Sequence, residues 1–181
     1  AQEAPQIRVQ LLETVLSGTE KVILDRSVDL ALTGLSPVGF LATPLMRMRF
    51  IAVAHPEHPL HQLNRPLSQR DLRHHRQLVV RDSGPRDIDA GWLKADQRWT
   101  FSHLDASIRA ACMGLGYAWY PEPKITQQLK HHRLKRLPLE YGSERFVQLN
   151  QILPHGDFSG PATMRLSELI KQQSEACPNV A

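Results

Sequence analysis

Ile7, Val9 and Leu11 alternate with Arg8 and Gln10, a period of two that predicts a strand with one buried face. Ser17-Gly18-Thr19-Glu20 then matches the S-x-x-E capping box, so a helix is expected over residues 17–26, with Thr19, Val22, Ile23 and Arg26 on one side. Val28-Asp29-Leu30-Ala31-Leu32 reads as a strand ending at Thr33-Gly34, and residues 40–44 as an irregular passage. Phe50-Ile51-Ala52-Val53-Ala54 is almost continuously apolar, the pattern of a strand covered on both faces. His55-Pro56 breaks it. Residues 66–73 suit a short helix and residues 77–80 a strand, and Gly84-Pro85 marks a turn in the loop that follows.

Residues 98–121 form the most ordered pattern of the chain, strand then helix then strand. Trp99 and Phe101 are β-favouring, and Ser102 is placed to cap a helix with Asp105 three residues on. Leu104, Ile108, Ala111 and Leu115 share one face, Gly114 and Gly116 end the helix, and a strand over residues 117–120 stops at Pro121. Two strands joined by one helix are most simply parallel with a right-handed crossover. A helix over residues 122–129, an extended return over 134–139 and a strand over 145–153 follow. Gly160-Pro161 opens a closing helix with Met164, Leu166, Leu169 and Ile170 toward the core, frayed beyond about Ser174.

This alternation predicts an α/β domain with mainly parallel sheets, in which ligands bind beyond the carboxyl ends of the strands. Three such ends carry polar, helix-opening or turn-forming residues: 14–17, 81–84 and 102–103. Their convergence on one crevice is the functional expectation, and a helix N-terminus there suits an anion.

Composition narrows the class. The chain of 181 residues is long enough for one domain or two small lobes, and 41% hydrophobic with 22% charged residues is ordinary for a soluble protein. No apolar run approaches the roughly 20 residues of a membrane span. The N-terminus carries neither a basic flank nor an apolar signal core, and Cys112 and Cys177 lie far apart, so reduced thiols and a cytoplasmic protein are expected. A net charge of +4 is mild for a nucleic-acid binder, and the dense stretches 70–76 and 130–136 read as solvated faces.

The chemical motifs mostly fail. Pro56 and Pro59 forbid the helix that would stack His55, His58 and His61, so no metal is expected. A G-x-S-x-G elbow is absent, since Gly34-Leu35-Ser36-Pro37-Val38-Gly39 has one residue too many. Turn and capping roles account for Asp82, Ser83, Ser102 and His103 without a triad. Gly114-Leu115-Gly116 follows a helix, the wrong place for a dinucleotide loop, so no cofactor is expected. The three tryptophans and Cys112 are expected to serve packing.

Residues 28–32, 51–60, 79–84 and 114–122, in that order and spacing, resemble the effector-binding domain of LysR-type transcriptional regulators. The resemblance implies a type 2 periplasmic-binding-protein-like fold, two α/β lobes linked by two crossing strands. Lobe I would be residues 1–50 and 147–181, and lobe II residues 51–146. A small organic or amino acid would sit between the lobes, against Leu16 and Ser17 of lobe I and Asp82, Ser83, Ser102 and His103 of lobe II. Arg81 and His103 would supply charge for a carboxylate, so an anionic effector is expected. The resemblance further implies a bacterial, non-enzymatic homodimer or tetramer that is not membrane-bound. It would reach DNA only through an N-terminal winged helix-turn-helix absent from this sequence. The chain is expected to begin inside lobe I's first helix, without the family's first strand. A free-standing solute-binding protein of the same fold, or an α/β enzyme using the cleft, are the alternatives.

Overall fold

The computed structural model describes residues 5–89 and 91–176. Helix α1 (Ser17–Leu24), strands β1 (Ala31–Thr33) and β2 (Ala42–Ala54), and helix α2 (Gln69–Arg73) open the chain, with a 3-10 turn at Pro59–Leu63 between the last two. Strands β3 (Gln77–Val80) and β4 (Arg98–Phe101), helix α3 (Leu104–Cys112), strand β5 (Ala118–Pro121) and helix α4 (Glu122–Lys130) follow. Strands β6 (Lys135–Arg136) and β7 (Glu144–Ile152) precede a closing helix α5 (Pro161–Ala176). The expected α/β class and two-lobed architecture hold.

The long strands β2 and β7 are the spine. They pair antiparallel from Ala42↔Ile152 to Ile51↔Glu144, with a register shift at Pro44, where proline has no N–H for the ladder. At one end β1 adds to β7 and at the other β5 and β6 add to β2, all antiparallel. The expectation of mainly parallel sheets therefore needs correcting to a mixed arrangement. Among the described residues, parallel pairing is confined to β3 with β4 and to single bridges such as Gln77↔Tyr117. The cause is the spine itself: two strands crossing between lobes in opposite directions impose antiparallel neighbours. The unit over 98–121 behaves as read, since β4 and the start of β5 flank β3 in parallel.

Alternation along β2 shows why its apolar end is continuous. Ile51 and Val53 pack into one cluster with Leu78, Ile108, Ala111, Tyr120, Ile125 and Leu134. Ala52 and Ala54 face the other way, against Leu60, Leu67, Leu72, Tyr117 and Leu137. Both clusters lie in the lobe built around β3–β5. The cluster at the far end of the spine is small: Ile23, Ala31 and Ile152. Where the spine passes between them, Arg49 Nε donates to Glu122 Oε2 at 2.7 Å, and Arg136 pairs with the same carboxylate. Glu144 lies 3.6 Å from Arg49 and 3.7 Å from Arg136.

Several local expectations fail. Residues 5–16 form neither helix nor strand, and Val9 and Leu11 are 73% and 93% exposed. Alternation makes a strand only where a ladder partner is present, and no described strand pairs with this segment. Residues 42–44 are strand rather than irregular. Met164 and Leu166 are exposed, and Ser167 is the buried residue of α5, bonded to Gln151. Trp99 is 43% exposed, with Arg76 over its ring at 4.4 Å, whereas Trp119 packs beside the cluster of Ala52, Leu60 and Tyr117 as expected, with Arg145 over its ring at 4.6 Å, and Arg98 lies 5.3 Å from the Trp92 ring. Cys112 ends α3 half-buried, and burial pushes its thiol pKa up. Cys177 and the last residues of the expected tail lie outside the described residues.

Candidate functional site

The N-terminus of α1 is where sequence and structure differ most. The S-x-x-E pattern places Ser17 at the cap, yet Leu16 holds that position, at φ 49° and ψ −117°, with no side-chain cap of its own. This is a sparsely populated region for a residue with a Cβ, the kind of strain that surrounding structure must hold in place. Ser17, one residue inside the helix, turns its hydroxyl to a carboxylate 65 residues away, donating to Asp82 Oδ2. Gly18 N donates to Asp82 Oδ1 at 3.3 Å. Asp82 thus caps α1 from the other lobe, and Glu20 pairs with Arg86 rather than closing a capping box.

Asp82 arrives there because it ends β3 and starts a tight Asx turn, Gly84 N donating to its Oδ1 at 2.9 Å. Ile88 N donates to Oδ2 at 3.0 Å. The carboxylate is only 5% exposed and has four donors, two from each lobe. Burial works against its ionisation, but the bonds from Ser17, Ile88, Gly84 and Gly18 outweigh it and bring the pKa down to about 2. The depressed value means a contribution to stability that is complete above the ordinary carboxylate range and lost as pH falls through about 2. Beside it, Ser83 Oγ accepts from Val15 N at 2.8 Å and Ser83 N donates to Val15 O at 3.2 Å.

The glycines permit this approach. A Cβ on Gly84 would overlap Gly18 N and both the backbone and hydroxyl of Ser17, while one on Gly18 would overlap Ser83 Oγ. The two segments touch backbone to backbone.

The remaining candidates sit one strand further along. Arg81 is exposed, and its N–H donates to Phe101 O at 2.9 Å, which sets the end of β3 beside the end of β4. Ser102 and His103 follow β4, both exposed. His103, not Ser102, occupies the cap of α3, and its side chain makes no cap hydrogen bond. The fold therefore brings Leu16 and Ser17 directly against Asp82 and Ser83, and sets Arg81, Ser102 and His103 at the adjoining strand ends. Sequence pattern alone does not mark Gly18, Gly84, Glu20 and Arg86 as site residues. The Gly84-Pro85 turn signal is the one local sign of the loop after β3.

Elsewhere, His58 is buried at a 3-10 turn, its Nδ1 accepting from Leu60 N at 3.2 Å, with the His75 ring 5.2 Å away. Among the described residues no group of three or more His, Cys, Asp or Glu side chains is placed to hold a metal ion. Among them, too, no helix is long and apolar enough to cross a membrane.

Two α/β lobes strung on crossing strands, with polar strand ends meeting at their junction, define a periplasmic-binding-protein-like ligand-binding fold. The chain belongs to the LysR substrate binding domain family, whose pattern it matches over residues 1–175. It is 28% identical over 103 residues to the HTH-type transcriptional activator AllS of Klebsiella pneumoniae, covering 55% of this chain and 38% of that one. It therefore spans about two fifths of that relative's length. CrgA, a LysR-type transcriptional regulator from Neisseria meningitidis, superposes with a TM-score of 0.72 at 22% identity, over 98% of this chain and 61% of that one. The regulatory domain of Synechocystis PCC6803 CcmR in complex with 2-PG gives 0.74 at 13% identity, over 97% and 88%. LysR-family regulators bind small-molecule effectors and act on DNA.

Proposed function

We propose that this chain is the effector-binding regulatory domain of a bacterial LysR-type regulator. It takes a small organic or amino acid between lobes formed by residues 1–50 with 147–181 and by residues 51–146. The observation that carries the reading is the meeting of α1's N-terminus with the loop after β3, which places one helix N-terminus and two strand ends at a single junction. Occupancy of that junction biases the relative orientation of the lobes, and so of a DNA-binding dimer in the cytoplasm. Ser17 and Ser102 supply hydroxyls and neighbouring N–H groups, and Arg81 and His103 supply charge for an anionic effector. CcmR in complex with 2-PG supports a small ligand in this fold.

A thermal-shift screen of small carboxylic acids, amino acids and aromatic metabolites tests it. A compound at 100 times its dissociation constant stabilises the fold by about 2.7 kcal/mol. The expected result is a dose-dependent hit that Ser102→Ala with His103→Ala abolishes. A hit unaffected by that double variant overturns the placement of the effector, and turnover of the hit overturns the regulatory reading in favour of an enzyme.

A further inference from the structure

The donors around Asp82 make a complete carboxylate cradle, and its occupant is part of the chain. Both oxygens are engaged, each by one donor from lobe I and one from lobe II. The strain at Leu16, the glycine contacts and the Glu20–Arg86 pair all belong to the same seam. A carboxylate of the chain's own holding the two lobes together where an anionic ligand's carboxylate would do so is a competitor for that ligand.

We propose that Asp82 is an interlobe latch, an internal carboxylate seated in the cleft's anion cradle, which an incoming carboxylate effector displaces. The displacement half rests on the effector reading above, while the latch itself does not. In the latched state the α1 N-terminus is closed to ligands. Release of Asp82 frees Ser17 Oγ and Gly18 N together, and a carboxylate entering from solvent restores the bonds to lobe I while leaving the loop after β3 free to move.

The test is to empty the cradle and refill it with a defined probe. Asp82→Ala removes the carboxylate, and sodium formate is titrated to 100 mM against sodium chloride at equal ionic strength while the melting temperature is followed. The expected result is a loss of about 5 °C or more for Asp82→Ala, because four hydrogen bonds to one carboxylate, two of them across the seam, are lost together. Formate, and not chloride, should then restore at least half of it saturably, with the unmodified chain unmoved. A variant that melts like the parent, or that loses stability without any formate-specific recovery, overturns the latch.

Should Asp82→Ala fail to fold, Asp82→Asn with spin labels at positions 29 and 130, in a chain with Cys112 and Cys177 replaced by serine, decides. A longer or broader interlobe distance than the parent's supports the latch, and an identical one refutes it. A flat effector screen beside formate recovery would sink the effector reading alone.

Discussion

Gly84→Ala isolates the contact between lobes from the stability of either lobe. The backbone at Gly84 does not lie in the left-handed region, so alanine is compatible with the turn itself. In an unobstructed site such a change stabilises by about 0.4–1 kcal/mol, because the unfolded chain loses freedom. Here the new methyl would overlap Gly18 N and Ser17. These are backbone atoms of the first turn of α1, which have no room to yield without dragging the helix. Overpacking of this kind costs about 1–3 kcal/mol. The alternative is for the seam to open, which gives up the bonds from Ser17 and Gly18 to Asp82 and those between Val15 and Ser83. Either route leaves a net loss near 2 kcal/mol, or roughly 4–8 °C in melting temperature for a chain of this size. Gly18→Ala is the matched control, since an open helix position gains about 1 kcal/mol from the same change whereas here its methyl would meet Ser83 Oγ. Chemical denaturation gives the energies, and small-angle scattering gives the radius of gyration, which should rise if the seam opens. Were both alanine variants more stable than the parent at unchanged radius, the two lobes would not be touching at this seam in solution.

Two predictions concern the lobe built around β3–β5. Burial, with His75, His61 and His55 nearby, pushes the His58 pKa down to about 4. The unfolded chain takes up that proton near 6.5 and the folded one does not, so stability falls as pH drops from about 6.5 to 4 and this contribution then levels off. The loss should be on the order of 2 kcal/mol once solvent access to the ring is allowed for. Asparagine at this position keeps a cap acceptor for Leu60 N, so urea titrations at pH 7 and 4.5 should show a shallower acid loss for His58→Asn, and equal losses would refute the assignment. Gly116→Ala would bring a methyl 2.5 Å from Arg76 O and 2.9 Å from Leu78 Cδ2. It should destabilise by about 1–3 kcal/mol, read by the same titration, and a neutral effect would mean that the β3–β5 junction is looser than described.

Much of this fold is local enough to be read from residue order. The apolar run Ile51-Ala52-Val53-Ala54 buries both of its faces, and alternate residues supply two separate clusters. Gly114 takes the left-handed position after α3, and Pro161 opens α5. Sequence pattern fails where a residue's partner is distant. Ile7, Val9 and Leu11 alternate, but no described strand pairs with them. Ser17-x-x-Glu20 has the form of a capping box, yet each side chain is claimed by the other lobe, by Asp82 and by Arg86. A true box was available at Ser68 and Asp71, where the carboxylate is also held by Arg65 well below the usual carboxylate range, and it caps a helix of five residues.

The failures at α1 share a cause. A leucine in a strained cap, a glycine in the first turn of a helix and a buried aspartate each run against local preference. Glycine in place of alanine costs a helix about 1 kcal/mol, and the strain at Leu16 is of order 1–3 kcal/mol. None of the three makes sense within its own lobe alone. Together they describe two facing surfaces, Leu16 and Gly18 on one lobe and Asp82 on the other, shaped to meet at hydrogen-bond distance. Violations of local rules that converge on one place mark sites kept for something other than folding. Because the seam is held by one carboxylate and a few backbone bonds, the proposed release of Asp82 would let it part, and the unsupported cost on the lobe I side makes parting easier. This fits the proposed function, in which a small ligand selects between two arrangements of the lobes.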